Sequence, residues 1–264
     1  MATSISPLAH VDPEAKIGNN VTIHPFAFID KNVEIGDGCE IMSYTSIIRG
    51  TRMGTDNKVY QGSIIGADPQ DFRWKGEETY CYIGNRNVIR EHVIINRGIA
   101  SEGGTRIGNE SFIMAESHIG HDSHLKDHCV IGNGVTIAGD TEVGECTILS
   151  SGAMLHENSR VGDWVLIKGG CRIAGNVPPY IIMAHNPASY FGVNAVILRK
   201  GGYTEDEIDD IAKAYRHIYQ TGTSVFNALR RIEADVKPGK VRNGITEFIN
   251  DVNLKIVAIP RDLE

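Results

Sequence analysis

Four of the ten histidines, His118, His121, His124 and His128, crowd into one short stretch, and Asp122 directly follows the second of them. A neutral imidazole takes a hydroxyl proton near neutral pH, and an adjacent carboxylate orients the ring and stabilises the imidazolium that forms. A His-Asp pair is therefore general-base machinery. Two other readings compete here. One is solvated histidines at turns; the other is a metal site, because closely spaced imidazoles are standard zinc ligands. Neither a G-x-S-x-G elbow nor a Walker loop occurs. Cys39, Cys81, Cys129, Cys146 and Cys171 show no C-x-x-C spacing and read as small core hydrophobes of a reduced cytoplasm.

A catalytic ring needs a rigid mount, and repetition supplies one. Steps of six from Ile5 meet Val11, Ile17, Ile23, Ile29, Ile35, Ile41, Ile47, Met53, Val59 and Ile65. The register resumes at Ile83, Ile89 and Ile95, and again at Ile107. From there it passes Ile113, Ile119, Leu125, Ile131, Ile137, Val143, Leu149, Leu155, Val161, Ile167 and Ile173. Every one is aliphatic. Four residues after each, the side chain is usually small, as at Ala9, Ala27, Cys39, Ser111, Ser123 and Ala153.

Period six suits neither a helix nor a long strand. It suits a short strand, a turn and a short strand, three units closing a coil whose neighbours stack at ~4.8 Å. The pattern predicts a parallel β-helix of roughly nine coils, a prism on the order of 40 Å long. Glycine, Asn or Asp often follows the aliphatic, as in Ile17-Gly18-Asn19 and Ile131-Gly132-Asn133, and is expected to take up left-handed backbone at the corners. On this geometry three-residue steps turn around the section, so one chain cannot aim His118, His121 and His124 at a single ion. An ion shared between chains stays open, but no metal is expected. His156, two coils further on, and Gly139, on the coil between, are expected to line one groove with His121.

Two interruptions leave the repeat, at about 66–82 and 99–106, and excursions from a rigid stack are where binding residues are expected. After Val177-Pro178-Pro179 the composition shifts, giving expected domains of 1–180 and 181–264. Thr204-Glu205-Asp206-Glu207 is a capping box before an amphipathic helix carrying Ile208, Ile211, Ala212, Tyr215, Ile218 and Tyr219. A second helix is predicted from Ser224, and a third carries Ile245, Phe248, Ile249 and Val252. This helical tail is expected to cap the open end of the prism, whose unpaired strand edge invites aggregation. A net charge of −7 argues against nucleic-acid binding. No signal segment and no long apolar run appears, so neither export nor a membrane span is expected.

These motifs together resemble one family over essentially the whole chain: the hexapeptide-repeat UDP-N-acetylglucosamine 3-O-acyltransferases of lipid A synthesis. The resemblance rests on Gln70-Asp71 with its loop, on Ile83-Gly84-Asn85-Arg86-Asn87-Val88-Ile89-Arg90-Glu91 and on Arg97-Gly98. It continues in His118-Ile119-Gly120-His121-Asp122, Val177-Pro178-Pro179-Tyr180 and Phe191-Gly192-Val193-Asn194. It implies a left-handed coil and transfer of an (R)-3-hydroxyacyl group from acyl carrier protein to the sugar 3-hydroxyl, the first step of the pathway. No cofactor is implied beyond the phosphopantetheine of the carrier. It also implies a homotrimer with sites in the clefts between subunits.

Carried over by position, His121 would be the general base, Asp122 would hold its ring, and the Gly139 amide would stabilise the oxyanion. Gln70, Asp71, Arg73, His118, His156 and Glu157 would meet substrate. Asn194 would reach the nucleotide from an adjacent chain, with Lys200 as a further nucleotide contact. Gly169 stands where the family sets acyl length, and a glycine implies a long chain. The sequence departs from the family at Arg73 (usually lysine), Asp140 (often histidine), Glu157 (usually glutamine), Val196 and Gly201. Other hexapeptide N-acyl or acetyl transferases, a non-catalytic β-helix and a metal-dependent hydratase are the alternatives. An acidic carrier protein needs a basic patch on this acidic chain, and Arg216, Arg230, Arg231, Lys237 and Lys240 are candidates.

Overall fold

A computed structural model describes residues 2–100 and 103–257, so Ser101 and Glu102 of the second interruption and the last residues of the tail lie outside it. Each aliphatic of the six-residue repeat sits in a short strand, from Ser4–Ile5 to Arg172–Ile173. The strands form three sheets of eleven, nine and eight members, the walls of a left-handed parallel β-helix. Register stacks like on like: Ile5 on Ile23, Ile23 on Ile41, Ile41 on Val59.

The branched side chains from Ile23 to Ile173 are buried along the axis, each contributing about 1.5–3 kcal/mol by its removal from water. Ile5 stays 45% exposed because the first coil has no neighbour beneath it. The small second positions are buried too, and their hydroxyls donate to backbone carbonyls: Thr45 to Tyr60, Ser117 to Met114 and Gly132, Thr147 to Gly162.

The corners correct one expectation. Left-handed backbone falls on the third residue after the aliphatic, and non-glycine residues such as Asn32, Asp56, Arg86, Asp122 and Asp140 usually occupy it. The glycines directly after the aliphatic have another cause, which is contact between coils. A Cβ at Gly36 would lie 2.6 Å from the Gly54 carbonyl carbon, and one at Gly132 would lie 2.5 Å from the Ser151 nitrogen.

Sheet continues past residue 180. Ile181–Ala184 adds a parallel strand beside Leu166–Ile167, and Ser189–Val193 folds back antiparallel on it. A short helix, Ala195–Lys200, precedes the three predicted ones at Glu205–Tyr219, Val225–Asp235 and Lys240–Asp251. The Thr204 capping box forms as expected, and Ser224 caps the next helix. Ala214 rather than Ala212 is buried beside Ile211 and Tyr215. The helices share one apolar cluster with the prism, and the Tyr215 hydroxyl donates to the Pro179 carbonyl at 2.6 Å. No helix among the described residues is long and apolar enough to cross a membrane.

Candidate active site

The second sheet stacks Ile95, Ile119, Ile137 and Leu155. Two residues further along each coil, Arg97, His121, Gly139 and Glu157 therefore share a corner column. Backbone bonds run along it: Asp140 N–H donates to the His121 carbonyl at 3.0 Å, and Asn158 N–H donates to that of Gly139 at 3.3 Å. His121 is 7% exposed. Its Nδ1 lies 3.0 Å from Asp122 Oδ2 and its Nε2 lies 3.3 Å from Asp71 Oδ2.

Asp122 is itself fixed. Its Oδ2 accepts from Ile99 N–H at 2.9 Å, and its own N–H donates to Thr105 Oγ1 at 2.9 Å. It holds a left-handed corner (φ +54°), which aspartate tolerates better than most residues. Gly139 lies directly against the ring, where a Cβ would collide with Cε1 and Nε2 of His121. The Gly139 N–H has no acceptor among the described residues. One crevice thus holds an imidazole nitrogen and an open amide side by side.

The first loop closes over this corner. Asp71 accepts from the Arg73 amide at 2.7 Å and from its guanidinium at 2.8 and 3.0 Å, which holds the Asp71 carboxyl well below the usual carboxylate range. The same guanidinium reaches Asp140 at 3.5 Å and Glu157 at 3.3 Å. Three of the departures from the family pattern therefore meet in one ion cluster. A cavity of about 540 Å³ is lined by Gln70, Asp71, Asn96, His118, His121, Gly139 and Glu157 among others. Burial holds the His118 imidazole below its ordinary value, which favours the neutral ring.

Other expected site residues lie elsewhere. His156 is exposed in the adjacent column above Gly120 and Ala138 and does not line the cavity. Asn194 is 2% exposed, with its amide nitrogen donating to the Trp164 carbonyl at 2.9 Å. Lys200 ends the short helix on the surface, away from the cavity lining. Gly169 is exposed, and a Cβ there would meet only the Ser151 carbonyl oxygen, at 3.0 Å. His124 faces the Gly104 carbonyl and His128 faces Glu110, so the histidines do not converge. A different set does come together: ligand atoms of His121, Asp122 and Asp140 lie within 4.8 Å of one another, with the Arg73 guanidinium already beside Asp140. Burial pushes the Cys81 and Cys129 thiols up to about 12, which keeps them protonated and unreactive. Asn96, 1% exposed on the cavity wall, was not visible as a site residue because it continues an ordinary strand.

Comparison with known proteins bears on this arrangement. Residues 176–257 match the family described as Udp N-acetylglucosamine O-acyltransferase, Domain 2. Residues 104–139 match the bacterial transferase hexapeptide family (six repeats), and 5–103 match the GMPPB C-terminal domain. The acyl-[acyl-carrier-protein]–UDP-N-acetylglucosamine O-acyltransferase of Chlorobaculum parvum is 50% identical over 88% of this chain and 89% of its own. The protein of the same name from Halorhodospira halophila is 36% identical over 94% and 97%. The crystal structure of a UDP-N-acetylglucosamine acyltransferase from Bacteroides fragilis superposes with a TM-score of 0.93 at 42% identity, covering 97% of this chain and 100% of that one.

Proposed function

This chain belongs to the acyl-[acyl-carrier-protein]–UDP-N-acetylglucosamine O-acyltransferase family, and from that membership we propose that it moves an (R)-3-hydroxyacyl group from carrier protein to the 3-hydroxyl of UDP-N-acetylglucosamine. The carrying observation is the pairing of His121 Nε2 with the open Gly139 amide in one crevice. His121 Nε2 takes the proton as the sugar oxygen attacks the thioester carbonyl carbon. Asp122, on Nδ1, keeps the ring in place and stabilises the imidazolium. Negative charge gathering on the thioester oxygen is met by Gly139 N–H. Collapse breaks the C–S bond, and the Nε2 proton passes to the departing thiolate of phosphopantetheine.

Asp71 now stands 3.3 Å from Nε2, where the sugar hydroxyl must come. Acceptor binding therefore draws that carboxylate from the ring onto the sugar. Gln70, Arg73, His118 and Glu157 surround the same space and meet the acceptor or the pantetheine arm. The chemistry uses neither metal nor bound cofactor, so turnover should survive a chelator. We place the working form as a homotrimer in the cytoplasm, with Asn194 and Lys200 serving a neighbouring chain's nucleotide and His156 facing the cleft between chains. Exposed Arg216, Arg230, Arg231, Lys237 and Lys240 would receive the acidic carrier.

The deciding assay gives purified protein UDP-N-acetylglucosamine and hydroxyacyl carrier proteins of graded length. Ester formation at the 3-hydroxyl, lost in His121→Ala, is the expected result. Acylation of an amine in place of the hydroxyl would favour the N-acyl alternative.

A further inference from the structure

Arg97 is a fully buried guanidinium, 2% exposed, at a corner position where the stack itself calls for no charge. Removing such a cation from water is costly unless it is closely partnered. Its partners all belong to the first loop or to that loop's two ends. Nη1 donates to the Gly66 carbonyl at 3.1 Å and Nε to Thr79 Oγ1 at 3.1 Å, while Nη2 pairs with Asp68 and the guanidinium stacks on Trp74 at 5.2 Å. Backbone bonds finish the clamp: Arg97 N–H to the Ala67 carbonyl and Gly98 N–H to that of Tyr80. Asn96 adds its amide, donating to the Asp68 carbonyl at 2.6 Å. Two residues on, Ile99 N–H holds Asp122.

From this arrangement we propose that Arg97 is a positioning residue for acyl transfer, fixing the first loop so that Asp71 is delivered to the His121 ring. The segment 96–99 then sets both carboxylates that flank the imidazole, Asp71 through the loop and Asp122 directly. This deepens the function proposed above and rests on it, although the clamp can be tested without turnover.

Arg97→Lys keeps the charge and loses the planar fork. The expected result is a KM for UDP-N-acetylglucosamine raised about 10- to 100-fold, well beyond any rise in the KM for acyl carrier protein, because the displaced Asp71 meets the sugar. Hydrogen exchange should lose protection across 68–80 while the wall strands keep theirs. In an Asp71→Asn background the further loss from Arg97→Lys should vanish, since the two act through one contact. If Arg97→Lys does not fold, Asp68→Asn removes the one carboxylate partner, itself half-exposed, and should show the same pattern at about 3-fold. Unchanged exchange in the loop, or losses from Arg97→Lys and Asp71→Asn that multiply independently, would overturn the proposal. A wild-type protein inactive on these substrates would instead sink the functional reading, and the exchange measurement would still decide the clamp.

Discussion

Two corners of the same prism follow opposite rules. At the corner after the third sheet, glycines 18, 36, 54, 84 and 108 stack, and the amides that follow all but Gly36 are capped by a side chain one coil away. Asp37 accepts from Asn19 N–H, Asn85 from Thr55, Asn109 from Asn85 and Asp127 from Asn109. At the corner after the second sheet the column reads Arg97, His121, Gly139, Glu157, and the Gly139 amide has no such cap. The first corner spends its side chains on its own backbone. The second leaves both side chains and an amide facing the crevice, and a loop closes over them. Inward residues hold both corners equally well, so chemistry can occupy a corner that the core does not need.

Exchanging the two rules gives the largest effects. His121→Ala should cut turnover about 10²- to 10⁴-fold with little change in melting temperature, because the ring lies outside the core. An equal change at Asn109, in the capped column, should instead lower stability and spare the rate. Gly139→Ala forces the His121 ring aside and should cost about 100-fold in kcat. Gly84→Ala puts a Cβ 2.8 Å from the Gly108 carbonyl carbon and should destabilise by about 1–3 kcal/mol with kcat intact. Denaturant melts beside steady-state rates separate these outcomes.

Smaller effects sharpen the contrast. Gly169→Met fills open space at the neighbouring corner, so the fold should tolerate it while donor preference moves on the order of tenfold toward shorter acyl chains. Unchanged preference would remove that residue from the acyl groove. The smallest effect concerns pH. Asp71 is held below its ordinary value of 3.8 by Arg73, so its help in closing the loop is present above that value and is lost only as pH falls through the lower, folded one. Wild-type protection over 68–80 should therefore persist near pH 4. In Arg73→Gln it should fade between about pH 5 and 3. Hydrogen exchange across that range checks the sign.

The prism was legible because its inward positions repeat without exception, and the helical tail because Thr204 and Ser224 announce the helix starts. The reason for the corner glycines was not legible, since a close approach between coils involves residues far apart in sequence. The strands at Ile181–Ala184 and Ser189–Val193 were absent from the reading because they break the period of six. His121, Asp122, Gly139, Asp71 and Arg73 meet as the spacing and the family motifs suggested. His156 falls one residue out of their column, since two coils of 18 lead back from it to Gly120 and not to His121. Arg97 showed only as part of a motif, because its clamp depends on how an irregular loop folds back.

Separations of 18, 24 and 30 residues all connect adjacent rungs of the Asx column, at Asn109–Asp127, Asn85–Asn109 and Thr55–Asn85. Wall pitch is therefore indifferent to how much polypeptide bulges out between two rungs. Foreign peptides or whole modules spliced into such bulges would be displayed at a known height on an undisturbed shaft. New specificities can arise in this architecture by lengthening an excursion, with no need to redesign what lies inside.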